Sequence, residues 1–159
     1  MKKLMIALVA VFSMLPISSF AAGGNVHLDK ANYDLSDKVS LQNGAKLFMN
    51  YCFACHSTGY QRYQRVATDL DIPAQLMKEN LIFTDSKIGE LMKNSMDKKE
   101  GAKWFGSAPP DLTLEARLRG ADWIYTYLRS FYVDKSRPFG VNNVVFPDVG
   151  MPHVLEELQ

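Results

Sequence analysis

An all-α fold with long loops is what this sequence predicts, and three observations predict it. Apolar residues recur at helical spacing in several short windows, few windows alternate as a strand would, and stretches rich in Gly, Pro and polar residues separate them. The chain has 159 residues, 47% of them hydrophobic and 22% charged, which suits one folded domain and excludes a disordered tail, a coiled coil or a collagen-like fibre. With 18 Lys plus Arg against 17 Asp plus Glu, the formal charge is only +1. A charge that small gathers neither nucleic acid nor anionic lipid.

Residues 1–21 read as a cleavable secretory signal. Lys2 and Lys3 form a positive start, Leu4 to Leu15 is an apolar run broken by Ser13, Pro16 ends it, and Ser19-Phe20-Ala21 offers the small residues a signal peptidase needs. As a membrane-spanning helix that run would reach roughly 18 Å, well short of the roughly 30 Å hydrocarbon core of a bilayer. No other window is long and apolar enough to span one. Residues 22–35, with Gly23 and Gly24, predict an extended and loosely held N-terminal segment, which leaves 36–159 as the domain proper.

Within that domain Leu41, Ala45, Phe48 and Cys52 share one face of a helix from about Ser36 to Tyr51. Ser57 to Asp71 shows no period, and Asp71 and Pro73 start a short helix through Leu81. Ile88, Leu91, Met92 and Ser95 predict another helix over Ser86 to Met96, and the breakers Gly101, Gly106, Pro109 and Pro110 predict a loop over Lys98 to Pro110. Asp111 or Thr113 caps a helix to Arg119, Gly120 ends it, and Asp122 caps the last helix, whose apolar face holds Trp123, Ile124, Tyr127, Leu128 and Phe131. Beyond Pro138 the chain reads as loop again.

The only two cysteines, Cys52 and Cys55, stand three apart, which excludes a disulfide framework and makes them a local pair. In Cys52-Phe53-Ala54-Cys55-His56 two thiols at a helix end can each add across a haem vinyl group, and the next residue then sets an imidazole under the iron. Export fits this, because such attachment is made outside the cytoplasm. A thioredoxin-like redox pair shares the spacing but needs a βαβ context that the sequence lacks. A zinc site would need two more ligands, with only His27 and His153 to supply them.

A haem held by His56 either takes a sixth ligand or leaves that place open. Met49 is too near the cysteines along the helix, and Met77, Met92 and Met96 sit in short segments where Met is core filler. Met151 differs, standing in the stiff loop Phe146-Pro147-Asp148-Val149-Gly150-Met151-Pro152. Its soft thioether would raise the potential, as suits an electron carrier, and it is favoured over His153, two residues away. Arg117 and Arg119 are a solvated helix end on one reading and a propionate partner on the other. Tyr60, Arg62, Tyr63 and Arg65 could line the haem edge or cover the surface, and Lys98, Lys99, Glu100 and Lys103 read as a solvated loop.

The haem motif followed by Ser57, then Ala108-Pro109-Pro110-Asp111-Leu112, Arg117-Leu118-Arg119-Gly120-Ala121-Asp122-Trp123 and the late Phe146-Pro147 with Met151-Pro152 resemble bacterial cytochrome c1, the haem subunit of the ubiquinol:cytochrome c oxidoreductase or bc1 complex. The likeness runs from about Val39 to Val154. It implies a cytochrome c-like helical fold around one covalently bound haem c, with thioethers from Cys52 and Cys55, His56 and Met151 as axial ligands of the metal, and Arg119 near a propionate. It implies a one-electron relay from the Rieske iron-sulfur protein to a soluble cytochrome c, beside cytochrome b, on the periplasmic side of the bacterial inner membrane, with no bond-making catalysis in this subunit.

The family pattern continues past the Met loop with a further helix and a C-terminal transmembrane anchor, whereas this sequence stops at Gln159. The expectation is therefore a C-terminally truncated haem domain whose apolar face at Leu41, Ala45 and Phe48 is partly uncovered, with membrane association through the complex. The alternatives are a free periplasmic c-type cytochrome, a haem sensor or peroxidase-like protein with an open sixth position, and a thiol-disulfide oxidoreductase with free cysteines.

Overall fold

The computed structural model describes residues 26–159, so the signal segment expected at 1–21 lies outside the described residues. Residues 26–34 have no regular structure, as expected, yet they are tied down: the amides of Asp29 and Ala31 donate to Thr126 Oγ1 at 2.8 Å and Asp122 Oδ1 at 2.9 Å. The segment is thus held more firmly than its composition suggests.

Asp37 opens the first helix by accepting the Ser40 amide at 3.0 Å, which satisfies one of the free donors of helix α1, Lys38–Leu47. The helix continues as a π-helical turn, Phe48–Cys52, and the Phe53 amide reaches back to the Phe48 carbonyl at 3.0 Å. Strand β1 is Thr58–Arg62, and α2, Tyr63–Asp69, follows it directly in a stretch where no element was expected. Helix α3, Ala74–Asn80, lies where Pro73 predicted it.

The helix expected over Ser86 to Met96 does not form. Strand β2, Leu91–Met92, pairs antiparallel with β1, and the carbonyls of Ile88, Gly89 and Glu90 accept from Gln64, Arg62 and Tyr63. Those carbonyls are spent across the chain, and tertiary pairing overrides the weak helical period. The loop expected over Lys98 to Pro110 contains helix α4, Lys98–Phe105, instead. Asp97 caps it by accepting the amides of Lys99 and Glu100, and Gly106 ends it at φ 79, the left-handed conformation that glycine adopts without steric cost. The breaker was a stop signal for a helix already under way.

Helices α5, Glu115–Arg119, and α6, Ala121–Arg129, meet at Gly120 as expected. Their caps differ from expectation: Asp111 accepts the Thr113 amide ahead of α5, and Asp122 receives Ala31. A second antiparallel pair follows, β3 Phe131–Val133 with β4 Val141–Asn143, and a 3-10 turn at Glu156–Leu158. The fold is helix-dominated, with two short strand pairs that periodicity did not reveal.

The apolar core joins the π turn, α2, α3 and β2. Met49, Phe53, Tyr63, Ala67, Met77, Leu81, Ile82 and Met92 are all buried, with Tyr63 and Met77 fully enclosed. Each large side chain there contributes about 1.5–3 kcal/mol by leaving water. Met49, Met77 and Met92 thus act as core filler, while Leu41 and Ala45 on α1 and Phe48 at the start of the π turn are only half-buried.

Candidate functional site

The π turn delivers Cys52 at its end, and the chain folds back at once: the amides of Cys55 and His56 both donate to the Cys52 carbonyl, at 3.1 and 2.9 Å. Both thiols are unbridged and half-buried. Burial, joined by the neighbouring Cys55, pushes the Cys52 thiol up, and burial does the same to Cys55. Raised thiols are poor nucleophiles at neutral pH, the opposite of what a thiol-disulfide exchanger uses. Asn94, just after β2, pins this turn by donating Nδ2 to the carbonyls of Phe53 and Ala54 at 3.0 and 3.3 Å.

His56 is fixed from the other side. Its Nδ1–H donates to the Pro110 carbonyl at 2.8 Å, so the ring holds the tautomer in which Nε2 carries the free lone pair. The Pro109–Asp111 strap is itself tied to the haem-motif strand: Leu112 donates to the Ser57 carbonyl at 2.9 Å and Gly59 to Asp111 Oδ2 at 2.6 Å. Burial works to raise the Asp111 carboxyl, but the hydrogen bonds from Thr113 and Gly59 outweigh it and hold the group below the usual carboxylate range.

Met151 lies half-buried in the late loop, and the Tyr127 hydroxyl of α6 donates to its Sδ at 3.3 Å. Burial pushes the Tyr127 pKa up to about 12, partly countered by Arg119, so the hydroxyl stays protonated. Gly150 lets the loop pass close to α4, since a Cβ there would stand 3.1 Å from the Phe105 carbonyl. Asp148 holds φ 62, a left-handed conformation that costs an ordinary residue roughly 1–3 kcal/mol. Asn143, 1% exposed, organises the loop's start by accepting the amides of Val145 and Phe146 and donating to the Tyr127 carbonyl. His153 stacks on Phe131 with centroids 4.7 Å apart, and its buried Nε2 has no partner among the described residues.

The remaining candidates divide. Arg119 pairs through Nε with Glu115 at 2.8 Å and lies over the Trp123 ring at 4.3 Å, while its Nη groups bond to no other described residue. Arg117 is exposed at the end of α5. Tyr63 is a core residue, Tyr60 is exposed, Arg62 holds Gly89, and Arg65 pairs with Asp69 on the surface. Lys98, Lys99, Glu100 and Lys103 lie on helix α4, with Lys103 and Glu100 paired at 2.7 Å.

Among the described residues no three His, Cys, Asp or Glu side chains converge to hold a bare metal ion. The donor set present is two thiols, an oriented imidazole and a buffered thioether, and it fits a haem c joined through the thiols and ligated by nitrogen and sulfur. The orphaned His153 Nε2 also fits a pocket in which part of the polar surroundings belongs to a bound group.

No family model matches the chain. Over its whole length it is 54% identical to a protein of Allochromatium vinosum named cytochrome c1 and spans 64% of that protein. The chain is therefore similar to cytochrome c1 from end to end. It is also 46% identical over its whole length to a protein of Nitrosomonas europaea named ammonia monooxygenase gamma subunit, of which it spans 67%. The chain therefore spans about two thirds of the length of both relatives. The likeness to cytochrome c1 accords with the helix-dominated fold and with a Cys-x-x-Cys-His motif closed by the Pro-Pro strap. Asn94, Tyr127 and Asn143 were not singled out in the sequence as site residues, for they bear no cofactor chemistry of their own and act through backbone groups or through a neighbouring side chain.

Proposed function

We propose that this chain moves single electrons through one haem c, attached at Cys52 and Cys55 and ligated by His56 and Met151, as the haem subunit of a ubiquinol:cytochrome c oxidoreductase. The observation that carries this reading is the imidazole of His56, which the Pro110 carbonyl holds with Nε2 free directly after the cysteine pair. The likeness to the Allochromatium vinosum cytochrome c1 over the whole chain supports it. When bound, the haem supplies a one-electron iron couple.

The chain's own residues set the conditions of that transfer. Pro110 orients the imidazole and strengthens it as a ligand. Tyr127 donates to the Met151 sulfur without ionising at physiological pH, and Arg119 offers its free Nη groups to a propionate. The partners of this reading are the Rieske iron-sulfur protein as donor, a soluble cytochrome c as acceptor and cytochrome b in the same complex. The place is the periplasmic side of the inner membrane, reached by a cleavable signal at 1–21.

The test is the full-length subunit exported with the cytochrome c maturation machinery and extracted in mild detergent. Haem stain that survives a denaturing gel, with a far-red sulfur-to-iron band that Met151→Ala removes, supports the site. A b-type haem spectrum in the same purified fraction supports the assembly. Absence of covalent stain overturns the proposal and returns Cys52 and Cys55 to thiol chemistry. Stained protein that never brings b-type haem with it overturns the subunit assignment and leaves a free carrier.

A further inference from the structure

The left-handed residue in the late loop is held from two sides. Asp148 donates its amide to Asn142 Oδ1 at 2.9 Å, while Arg137 donates Nη1 to Asp148 Oδ1 at 3.1 Å and Nη2 to the Asp148 carbonyl at 2.7 Å. The same Nη2 lies 3.4 Å from the Val149 carbonyl. Asn142 is 7% exposed in β4, and its Nδ2 donates to Asp134 Oδ2 at 3.1 Å, across the hairpin. Arg137 belongs to the turn that joins β3 to β4, so one hairpin supplies both jaws.

We propose that Arg137 and Asn142 are positioning residues for Met151. They clamp Asp148 in its strained conformation, and this fixes the course of Val149 and Gly150 and therefore the place to which the loop carries the thioether. Without the clamp Asp148 relaxes to negative φ, the three residues beyond it swing, and the sulfur loses its fixed place. The inference rests on Met151 being the sixth ligand. It assigns a role to the β3–β4 hairpin, which makes no hydrogen bond to Cys52, Cys55 or His56 among the described residues.

A merely structural role predicts lower stability with unchanged ligation, so ligation is what the test reads. The holoprotein is purified with Arg137→Ala, with Asn142→Ala and with the exchange Asp134→Asn plus Asn142→Asp, which keeps the acceptor for Asp148 and the bond across the hairpin. Far-red band intensity in the oxidised protein and carbon monoxide binding to the reduced protein are compared, with far-UV circular dichroism and haem stain as controls. The expected result is at least a twofold loss of the band and a tenfold faster carbon monoxide reaction in both alanine variants, with the exchange variant close to native. If Arg137→Ala fails to accumulate, Arg137→Lys decides, because its single ammonium cannot serve the Asp148 carboxylate and carbonyl together. Folded alanine variants with a native band and native carbon monoxide exclusion overturn the clamp alone. A native protein without the band, or a Met151→Ala variant that keeps it, overturns the ligand reading and the clamp with it.

Discussion

The two halves of the chain are held together by different physics. The half that carries the cysteines rests on an apolar core in which Phe53, one residue past Cys52, packs at 6.3 Å against both Phe48 and Tyr63. The half that carries Met151 has one buried apolar side chain, Val149, and its other buried residues are Thr126, Asn142 and Asn143. In place of a core it has an aromatic ladder, Phe146 to Trp123 to Tyr127 to Phe131 to His153, with neighbouring centroids 4.7–6.4 Å apart. Every one of those rings is at least partly exposed. The half that carries the cysteines has closed around itself, whereas the half that carries Met151 relies on a polar bracket and leaves its rings part-exposed.

The largest expected effect breaks this comparison or makes it sharp. Cys52→Ala with Cys55→Ala abolishes covalent haem altogether, and the gel stain disappears. Hydrogen exchange of that haem-free protein is expected to show the amides of α2 and α3 still protected and those of 131–151 exchanging freely. Equal protection in both halves would show that the ligand-loop half needs no cofactor. Next comes Met77→Ala in the closed half, expected to cost about 2–5 kcal/mol by urea unfolding, with or without haem. Asn143→Ala in the other half removes one acceptor and one donor from a buried network and is expected to cost about 1–3 kcal/mol, and the loss should show in the far-red band as well as in stability.

The smallest effect is a pH effect on the strap between the halves. Asp111 sits below the usual carboxylate range when folded, so its contribution is complete above the unfolded value near 4 and disappears as pH falls through the lower folded value. Native protein is therefore expected to lose its Tm advantage over Asp111→Asn on acidification from pH 6 to below 3. An advantage that stays constant across that range would remove Asp111 as the cause.

Sequence alone singles out the candidate site residues whose chemistry is written in residue type. Cys52, Cys55 and His56 declare themselves by spacing, and Met151 stands apart from Met77 and Met92, which the fold buries, because it sits in a loop stiffened by prolines. A helix with a Pro start was equally legible, as Pro73 shows. Elements decided by distant partners were hidden. Leu91 and Met92 pair with a strand some thirty residues earlier, and no local window reports that. Helix α4 was hidden for a different reason: its cap at Asp97 and its stop at Gly106 were both present, but Gly101 within a charged stretch and the prolines at 109 and 110 obscured them. Asn142 and Arg137 were invisible because each serves a backbone whose conformation no residue pattern reveals.

The π turn at Phe48–Cys52 makes the site a matter of phase. It fits one residue more than an α-helix would, and Asn50, exposed within it, is the residue that could be lost without emptying the core. Each residue of helix is about 100° of rotation. The wider π turn absorbs the extra residue, so removing Asn50 would restore the regular ladder and leave Cys52 on nearly the same side of α1. The side of α1 on which the cysteine pair stands is therefore kept by the width of a single turn, which has room for one residue more than the regular ladder.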